Sequence, residues 1–297
     1  MFAITGITGQ VGGEVARNLL AGRQTVRGVV RDVNKAKVWA ERGCELMAAD
    51  INDAAALTAA FEGVDGVFVL VPPNFDPSPD FQEARAIAGT LNRALDSARP
   101  RGVVYLSTIG AQTTHHLNLL SQHTIIEQAL RKVSVPITFL RPAWFMENSN
   151  WDVASAKNGL IQSFLQPLDK PVPMVATADI GCLAAELLQE KWKGHRVVEL
   201  EGLSPVTPKE IAATFARLLG RPVRVEAVPR ETWEPLFKSQ GMKNPEPRVQ
   251  MLDGFNEGWI KFEGKDGGVR KGKVELETVL RSLIEIDSGA KARSTTT

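Results

Sequence analysis

Near the N-terminus the chain reads Phe2-Ala3-Ile4-Thr5-Gly6-Ile7-Thr8-Gly9-Gln10-Val11-Gly12, a short apolar run followed by three equally spaced glycines. The apolar run is typical of a buried strand, and a helical pattern begins at Gln10 and continues to about Leu20. The first N–H groups of a helix have no partner inside it, and its dipole makes that end positive. This order of strand, glycine turn and helix predicts a phosphate-binding element.

Each of the three glycines has its own role in such an element. The backbone must turn sharply at Gly6, approach a pyrophosphate closely at Gly9, and let the helix pack on the strand at Gly12. The spacing is one residue longer than that of the common dinucleotide fingerprint, and the alternative is an ordinary tight turn. We predict dinucleotide binding, with contacts from Thr5, Gly6, Thr8, Gly9, Gln10, Val11 and Gly12.

Strands and helices alternate through the first half of the chain in six units. The predicted strands are Phe2–Thr5, Thr25–Val30, Glu45–Ala49, Gly66–Val71, Val103–Leu106 and Ile137–Leu140. The predicted helices are Gln10–Leu20, Lys35–Arg42, Asp53–Phe61, Phe81–Ala98 and His116–Lys132. This order predicts an α/β fold, a doubly wound parallel sheet of the Rossmann type with helices on both faces. Its ligand crevice is expected beyond the carboxyl ends of the strands, where the strand order reverses.

After about residue 142 the alternation is interrupted, and Pro, Trp and Phe become more frequent. We therefore predict a dinucleotide-binding domain over 1–142, and a smaller, partly interleaved substrate-side α+β region over 143–287. Its predicted pieces are helices Trp144–Lys157, Thr177–Leu188 and Pro208–Leu219, strands Arg196–Leu200 and Val223–Val228, and terminal helices. Val197–Leu200 is also suited to extending the main sheet. Residues 288–297 are small and polar and are expected to be disordered.

Composition excludes several classes of function. The net charge of +1 gives no excess of basic residues for binding nucleic acid. Cys44 and Cys182 are expected to be reduced, buried thiols, and no metal-ligand pattern is present, because the adjacent His115 and His116 cannot easily share one ion. No apolar run reaches the length of a spanning helix, so we expect a cytoplasmic monomer or homodimer without a membrane partner.

The end of the second predicted strand bears on the choice of nucleotide. A carboxylate about 20 residues after the glycine turn favours NAD, whereas an arginine there favours the 2′-phosphate of NADP. Arg31 stands at this strand end and Lys35 follows one helical turn later, which favours NADP(H) over NAD(H). The alternative is that both are solvated and that Asp32 binds the ribose. Asp50 is a candidate contact for the adenine or, alternatively, a helix cap.

With these features and several later motifs, the chain resembles the NmrA-like branch of the atypical short-chain dehydrogenases/reductases. The motifs are Arg141-Pro142-Ala143-Trp144-Phe145-Met146-Glu147-Asn148, Val71-Pro72-Pro73, Leu106-Ser107-Thr108, Thr177-Ala178-Asp179-Ile180-Gly181 and Glu201-Gly202. The resemblance implies a quinone, azo-dye or triphenylmethane-dye reductase, or a regulator that binds dinucleotide without turnover. It adds Val71, Pro72, Pro73, Ser107, Pro142 and Phe145 to the predicted cofactor contacts.

The chain departs from most short-chain dehydrogenases in its acid–base residues. Those enzymes carry a Tyr-x-x-x-Lys pair on the helix after the fifth strand, where the tyrosine protonates a carbonyl oxygen. Here Leu119 and His123 stand at those positions, and the one tyrosine, Tyr105, lies in a predicted strand. Reduction of an unactivated ketone is therefore not expected. His123 is the catalytic candidate, as a proton donor or ribose contact, and the alternative is a surface histidine paired with Glu127.

The segment after the sixth predicted strand offers the substrate side of the site. Trp144, Phe145, Met146 and Trp151 would form a flat, apolar wall for a planar acceptor. The alternative is packing in a core, which we favour for Trp151. A second aromatic group is expected to form a satellite core or to cover the crevice, and consists of Trp233, Phe237, Phe255, Trp259 and Phe262. The Gly-rich charge cluster Lys261–Lys273 is expected to be a solvated loop.

Together these patterns predict an NAD(P)H-dependent oxidoreductase that transfers hydride to a planar electrophile such as a quinone or azo compound. The substrate would be a small aromatic or quinone-like molecule. The alternative is a non-catalytic, NAD(P)-binding redox sensor that presents a conformation to a partner protein. A nucleotide-sugar epimerase is a third hypothesis, and the missing Tyr-x-x-x-Lys pair argues against it.

Overall fold

The computed structural model describes residues 1–265 and 268–294, and contains twelve strands and eleven α-helices. The strands are β1 (Phe2–Thr5), β2 (Val26–Val30), β3 (Glu45–Ala48), β4 (Gly66–Val69), β5 (Val103–Leu106), β6 (Ile137–Pro142), β7 (Trp144–Phe145), β8 (Leu160–Ser163), β9 (Met174–Val175), β10 (His195–Glu201), β11 (Arg224–Ala227) and β12 (Val269–Lys271). The helices are α1 (Gln10–Ala21), α2 (Lys37–Glu41), α3 (Ala54–Phe61), α4 (Gln82–Ala98), α5 (Ser121–Leu130), α6 (Val153–Lys157), α7 (Thr177–Gln189), α8 (Pro208–Leu219), α9 (Trp233–Ser239), α10 (Glu246–Glu257) and α11 (Leu276–Ser294).

Eight strands form one parallel sheet in the order β12-β10-β6-β5-β4-β1-β2-β3. β1 lies between β2 and β4, so the chain winds outward in one direction to β3 and then returns to wind outward in the other. The reversal places a crevice at the carboxyl ends of β1 and β4, which is where the glycine turn leaves β1. Strand β10 does extend this sheet, as its apolar pattern suggested, and β12 adds an edge strand.

Both faces of the sheet are covered, because alternate side chains of each strand point in opposite directions. On one face Ile4, Phe68 and Leu140 pack beneath α1 and α7. On the other face Val67 and Phe139 pack beneath α3, α4 and α5. Helices α1 and α7 approach closely at Gly181, where any Cβ would overlap the Glu14 side chain.

The substrate-side region has its own apolar core. It is built from α6 and α8 to α11, together with the parallel pairs β8–β11 and β7–β9. Trp233 and Phe237 are fully buried in it, which places the second aromatic group in a satellite core. Helix α8 begins with a capping box in which the Thr207 hydroxyl accepts from the Glu210 N–H at 3.1 Å. The division near residue 142 remains a prediction.

Several predicted elements differ from the structure. The predicted helix Trp144–Lys157 is instead strand β7, a 3₁₀ helix over Met146–Asp152, and α6, because the Trp144 N–H donates to the Pro173 carbonyl across to β9. Helix α5 begins at Ser121 rather than His116, because the Asn118 side chain caps a turn by accepting the Leu120 N–H at 2.8 Å. His116 itself has a left-handed backbone, with φ of 60°.

The C-terminal part also differs from the sequence-based expectation. Within the charge cluster, Val269–Lys271 pairs with β10 as the edge strand β12, and residues 266–267 lie outside the described residues. Residues 288–294, expected to be disordered, continue helix α11, while 295–297 lie outside the described residues. Asp179 fixes the segment after β12 by accepting the N–H groups of Lys273 and Val274, each at 3.0 Å.

The two cysteines occupy different environments, although both were expected to be buried. Cys44 is buried in the core beneath α1, whereas Cys182 is exposed on α7. Burial raises the pKa of both thiols, and the nearby Glu186 carboxylate adds to the effect at Cys182. Within the described ranges, no helix combines the length and apolar character needed to cross a bilayer.

Candidate active site

The glycine turn between β1 and α1 presents an uncapped helix start. Gly6 has φ of +66°, which glycine adopts without strain, and the Gly9 N–H donates to the Gly6 carbonyl at 2.9 Å. Gly9 is the N-cap of α1, and no described side chain bonds to this helix end. The first turn, Gln10-Val11-Gly12-Gly13, carries no acidic residue. Its free N–H groups and positive dipole therefore form a site for an anion.

Gly12 makes this geometry possible. A Cβ at Gly12 would overlap the Gly6 carbonyl oxygen and lie 2.6 Å from its carbon, so α1 can pack on the turn only without a side chain there. The other predicted contacts have different environments. Thr8 is exposed and Val11 is buried. Thr5 is committed elsewhere, because its hydroxyl donates to the Leu70 carbonyl at 3.1 Å and accepts from the Leu70 N–H at 2.7 Å. Thr5 therefore ties β1 to the end of β4.

Two cationic side chains follow the carboxyl end of β2. Arg31 and Lys35 are exposed after β2, and neither side chain has a hydrogen bond or ion pair with any residue that the structure describes. Asp32, the alternative ribose partner, accepts the Asn34 N–H at 2.9 Å and caps a 3₁₀ turn. Asp50 accepts from the N–H and side-chain amide of Asn52, and Asp53 caps α3 instead.

A cavity of about 1040 Å³ runs from the ends of β4 and β5 into the substrate-side region. Leu70, which directly follows β4, lines the cavity, and its side chain lies against Gly6 of the glycine turn. The cavity brings together the predicted residues Val71, Pro72, Pro73, Ser107, His123, Trp144, Phe145 and Trp151. The predicted contacts of the glycine turn, and Arg31, Lys35 and Asp50, do not line this cavity. Two further predicted contacts also lie outside it. Met146 is buried in the substrate-side core, and Pro142 is buried at the end of β6, where its carbonyl accepts the Ile109 N–H at 2.9 Å.

Two pairs of aromatic rings line the cavity. Trp144 meets Phe255 of α10 edge-on, with ring centroids 5.1 Å apart. Trp151 meets Phe75 edge-on at 6.2 Å. The side chain of Trp151 is 63% exposed, so the expectation that it packs in a core is wrong. Two apolar ring pairs at one cavity can enclose a planar molecule between them.

His123 is held by Tyr105 and not by Glu127. The Tyr105 hydroxyl lies 2.8 Å from His123 Nδ1. Burial lowers the pKa of His123 to about 4, so the ring is neutral at pH 7. Burial and the Glu127 charge raise the pKa of Tyr105, which therefore keeps its proton. Donation from Tyr105 to Nδ1 satisfies both groups and places the ring proton on Nε2, which has no partner among the described residues.

Glu127 belongs to a buried ionic network behind the cavity. Arg141 donates to both of its carboxylate oxygens, from Nε at 2.9 Å and from Nη2 at 2.6 Å. The Ser107 hydroxyl donates to the same carboxylate at 2.5 Å, and Glu263 accepts from Arg141 at 3.1 Å. The interpretation of His123 as a partner of Glu127 is therefore wrong. Ser107 lines the cavity, but its hydroxyl proton is committed to Glu127.

The family described as NmrA-like matches residues 1–258 of this chain. The chain belongs to the NmrA-like family. A relative from Streptomyces griseus subsp. griseus, named (4-alkanoyl-5-oxo-2,5-dihydrofuran-3-yl)methyl phosphate reductase, is 32% identical over 228 residues, which are 76% of each chain. The NAD(P)H azoreductase of Xenophilus azovorans is 29% identical over 259 residues, or 86% of this chain and 85% of the relative. The structure of an NADPH-dependent quinone oxidoreductase from Escherichia coli, complexed with NADPH, matches with a TM-score of 0.73 and 26% identity, covering 96% of this chain and 95% of that one.

These comparisons confirm the predicted family and the predicted doubly wound fold. The names of the relatives agree with the predicted class of NAD(P)H-dependent reductase. The NADPH bound to the structural neighbour is the cofactor that the Arg31 position favours for this NmrA-like protein.

Sequence reasoning missed three charged residues of the NmrA-like cavity, Glu83, Asp152 and Arg248. Asp152 lines it, and burial raises the pKa of this carboxyl to about 7. Arg248 lines it from α10, far from Asp152 in the sequence. The apolar positions 251, 252 and 255 share the helical face of Arg248, so a helical projection of α10 would have singled out this charge. His116 stacks on Trp259, with ring centroids 5.0 Å apart, and its ring lies 5.3 Å from that of His115. The described ranges hold no group of three residues suited to a metal.

Replacing Arg31 by alanine tests the nucleotide preference of this NmrA-like protein. We expect NADPH affinity to fall by about 10- to 100-fold, since one hydrogen bond to a charged phosphate contributes about 1.5–3 kcal/mol. NADH affinity should change by less than about threefold, because NADH has no 2′-phosphate. Calorimetric titration of both nucleotides measures this, with Arg224→Ala as a control on a distant exposed strand. An equal loss for both nucleotides would contradict the assignment.

Proposed function

We propose that this chain is an NADPH-dependent reductase of planar electrophiles such as quinones or azo compounds. The observation that carries the proposal is the cavity that is walled by aromatic rings and lined by Leu70, whose side chain lies against Gly6 of the glycine turn. NAD(H) is the weaker alternative cofactor, because Arg31 and Lys35 suit a 2′-phosphate.

The residues present fit the dinucleotide. The helix start at Gln10 would hold the pyrophosphate, and Arg31 with Lys35 would hold the 2′-phosphate. Val71, Pro72 and Pro73 would form a rigid edge beside the nicotinamide end. When bound there, NADPH would supply the hydride.

The aromatic walls would bind and orient the acceptor. Trp144, Phe145 and Trp151 offer flat surfaces that bury an aromatic ring and exclude water from it. Reduction of a quinone spreads the developing charge over a conjugated system, so it needs less help from an acid than reduction of a ketone does. The absence of a Tyr-x-x-x-Lys pair from the sequence is compatible with such acceptors.

His123 would act as a hydrogen-bond donor rather than as an acid that titrates near neutrality. Its neutral ring carries a proton at Nε2 in the tautomer that Tyr105 favours, and the ring lines the cavity. A neutral imidazole can stabilise negative charge on an acceptor oxygen without being ionised first. Tyr105 would serve as the positioning residue for this ring.

His123→Leu should lower kcat with a quinone by about 10- to 100-fold, because it removes one hydrogen bond to developing charge. His115→Leu, on the exposed loop, should leave kcat within about twofold of the wild-type value. The wild-type kcat should show no His123 titration between about pH 6 and 8, because the pKa of about 4 keeps the ring neutral there. A kcat titration near pH 6.5 that disappears in His123→Leu would contradict this role.

The function itself is tested by incubating purified protein with NADPH and a panel of quinones and azo dyes. We expect acceptor-dependent oxidation of NADPH well above the rate without protein. Tight NADPH binding with no oxidation by any acceptor would reject the reductase and leave the redox sensor as the explanation. The sensor further requires unequal affinities for NADPH and NADP⁺ and a partner protein that responds to them.

A further inference from the structure

We propose that the natural acceptor carries an anionic group, a carboxylate or a phosphate, and that Arg248 binds it in the cavity. The inference extends the proposed reductase function by naming the chemical class of its substrate. It rests on the position, surroundings and missing partner of one guanidinium group.

Arg248 faces the cavity from α10, on the same helical face as Met251, Leu252 and Phe255. Its side chain is half-buried, and burial lowers its pKa, which nevertheless leaves it cationic. The guanidinium makes no hydrogen bond and no ion pair with any residue in the ranges 1–265 and 268–294. A partly desolvated cation without a counter-ion is unfavourable, and an anionic ligand would relieve that cost.

An aromatic ring fixes the guanidinium without using its donors. Arg248 lies over the ring of the fully buried Phe237, 4.2 Å from the centroid. This contact holds the planar group by its face, so the N–H groups at its edge stay available. An edge of this shape matches the two oxygens of a carboxylate or phosphate. Gln240, which directly follows α9, also lines the cavity, and its side-chain amide can donate a further hydrogen bond.

The other charged groups of the cavity do not neutralise Arg248. The Glu83 carboxylate accepts from the Ser78 N–H and hydroxyl, the latter at 2.8 Å. Asp152 forms no ion pair with Arg248, and with a pKa of about 7 it is only partly ionised at neutral pH. His123 is neutral. Among the described residues that line the cavity, Arg248 is therefore the one fixed cation.

Helix α10 also sets the distance between the ring of the acceptor and its anionic group. Arg248 precedes Phe255 by seven residues, or about 10 Å along the axis, and Phe255 contacts Trp144. A ring held against Trp144 could place an anion at Arg248 through a short flexible chain. The cavity thus accommodates a planar head and a charged tail.

Three quinones that share one ring and one alkyl chain test the proposal, with a terminal carboxylate, phosphate or methyl ester. The wild type should show kcat/KM about 10- to 100-fold higher for an anionic quinone than for the ester. In Arg248→Met the preference should fall to less than about threefold, and Arg248→Lys should restore part of it. The better of the two anionic probes identifies the group. Equal kcat/KM for all three in the wild type would overturn the proposal.

Arg230→Met is the matched control, because Arg230 also stacks on an aromatic ring, Trp233, at 5.0 Å, but pairs with Asp253 at 2.6 Å. It should keep the wild-type preference. Calorimetric binding of the same probes to protein loaded with NADP⁺ separates this inference from the reductase function. Tighter, Arg248-dependent binding of the anionic probes without turnover of any quinone would support the anion site and reject the reductase. Equal affinity for anion and ester would reject the anion site alone.

Discussion

Gly12→Ala is expected to lower the affinity for NADPH by at least about 100-fold. The added Cβ would overlap the Gly6 carbonyl oxygen and lie 3.1 Å from the Ile7 nitrogen, so it meets backbone on one side of the turn. Backbone cannot rotate away as a side chain can, and the start of α1 must therefore move from the turn. The N–H groups that would bind the pyrophosphate move with it. Calorimetric titration with NADPH measures the loss.

Two further variants make the result at Gly12 interpretable. Gly89→Ala adds a Cβ within helix α4 that meets only the Arg93 side chain, at 3.5 Å, and should leave NADPH affinity unchanged. Gln10→Glu keeps the backbone but adds a negative charge at the exposed helix start, and should weaken NADPH binding by about tenfold. Folded Gly12→Ala and Gln10→Glu proteins with the wild-type affinity would contradict the predicted pyrophosphate site.

Arg141→Ala is expected to reduce the free energy of unfolding by about 3–5 kcal/mol, the usual effect of leaving a buried partner charge unpaired. The side chains of Arg141 and Glu127 are 2% and 3% exposed, and Glu127 would keep only Ser107 and the more distant Arg131 as partners. Chemical denaturation followed by circular dichroism measures the change. Lys238→Ala, which breaks an exposed pair with Glu234, should leave the free energy of unfolding nearly unchanged, because solvent screens the pair.

A double variant separates the effect of a stranded charge from the effect of lost packing. Arg141→Met combined with Glu127→Met removes both charges and keeps apolar bulk, so it should recover most of the stability lost in Arg141→Ala. Glu263 keeps a partner in this variant, because Lys265 lies 2.8 Å from it. If Arg141→Ala is as stable as the wild type, the buried network does not contribute as proposed.

The sequence predicted the parts of the fold that depend on local pattern. Strands β1 to β6 are short apolar runs bounded by turn residues, and the glycine turn follows from three residues close together in the chain. The prediction from sequence failed where a segment pairs with a strand that is distant in the chain, because this pairing overrides the segment's local secondary-structure preference. Trp144 and Phe145 read as helical, yet they pair with Met174 and Val175, and β12 was missed because a charged, Gly-rich segment adds to the edge at β10.

The candidate site divides in the same way. The motif residues Trp144 and Phe145 line the cavity, and so does His123, which the sequence singled out by its position after the fifth strand. The partner of His123 was missed, because Tyr105 reaches it from β5 only after α5 packs beside that strand. Arg248 was missed because no motif surrounds it and because the other residues that line its cavity come from distant parts of the chain. The spacing of residues along the sequence identifies those that act together within one segment. It does not identify residues that are brought together only by the packing of distant segments.

Isothermal calorimetry of the purified protein with NADPH tests the central claim most directly. The glycine turn, the uncapped start of α1 and the cationic pair after β2 predict saturable binding of one NADPH per chain, tighter than that of NADH. A folded protein that binds neither dinucleotide would contradict the account.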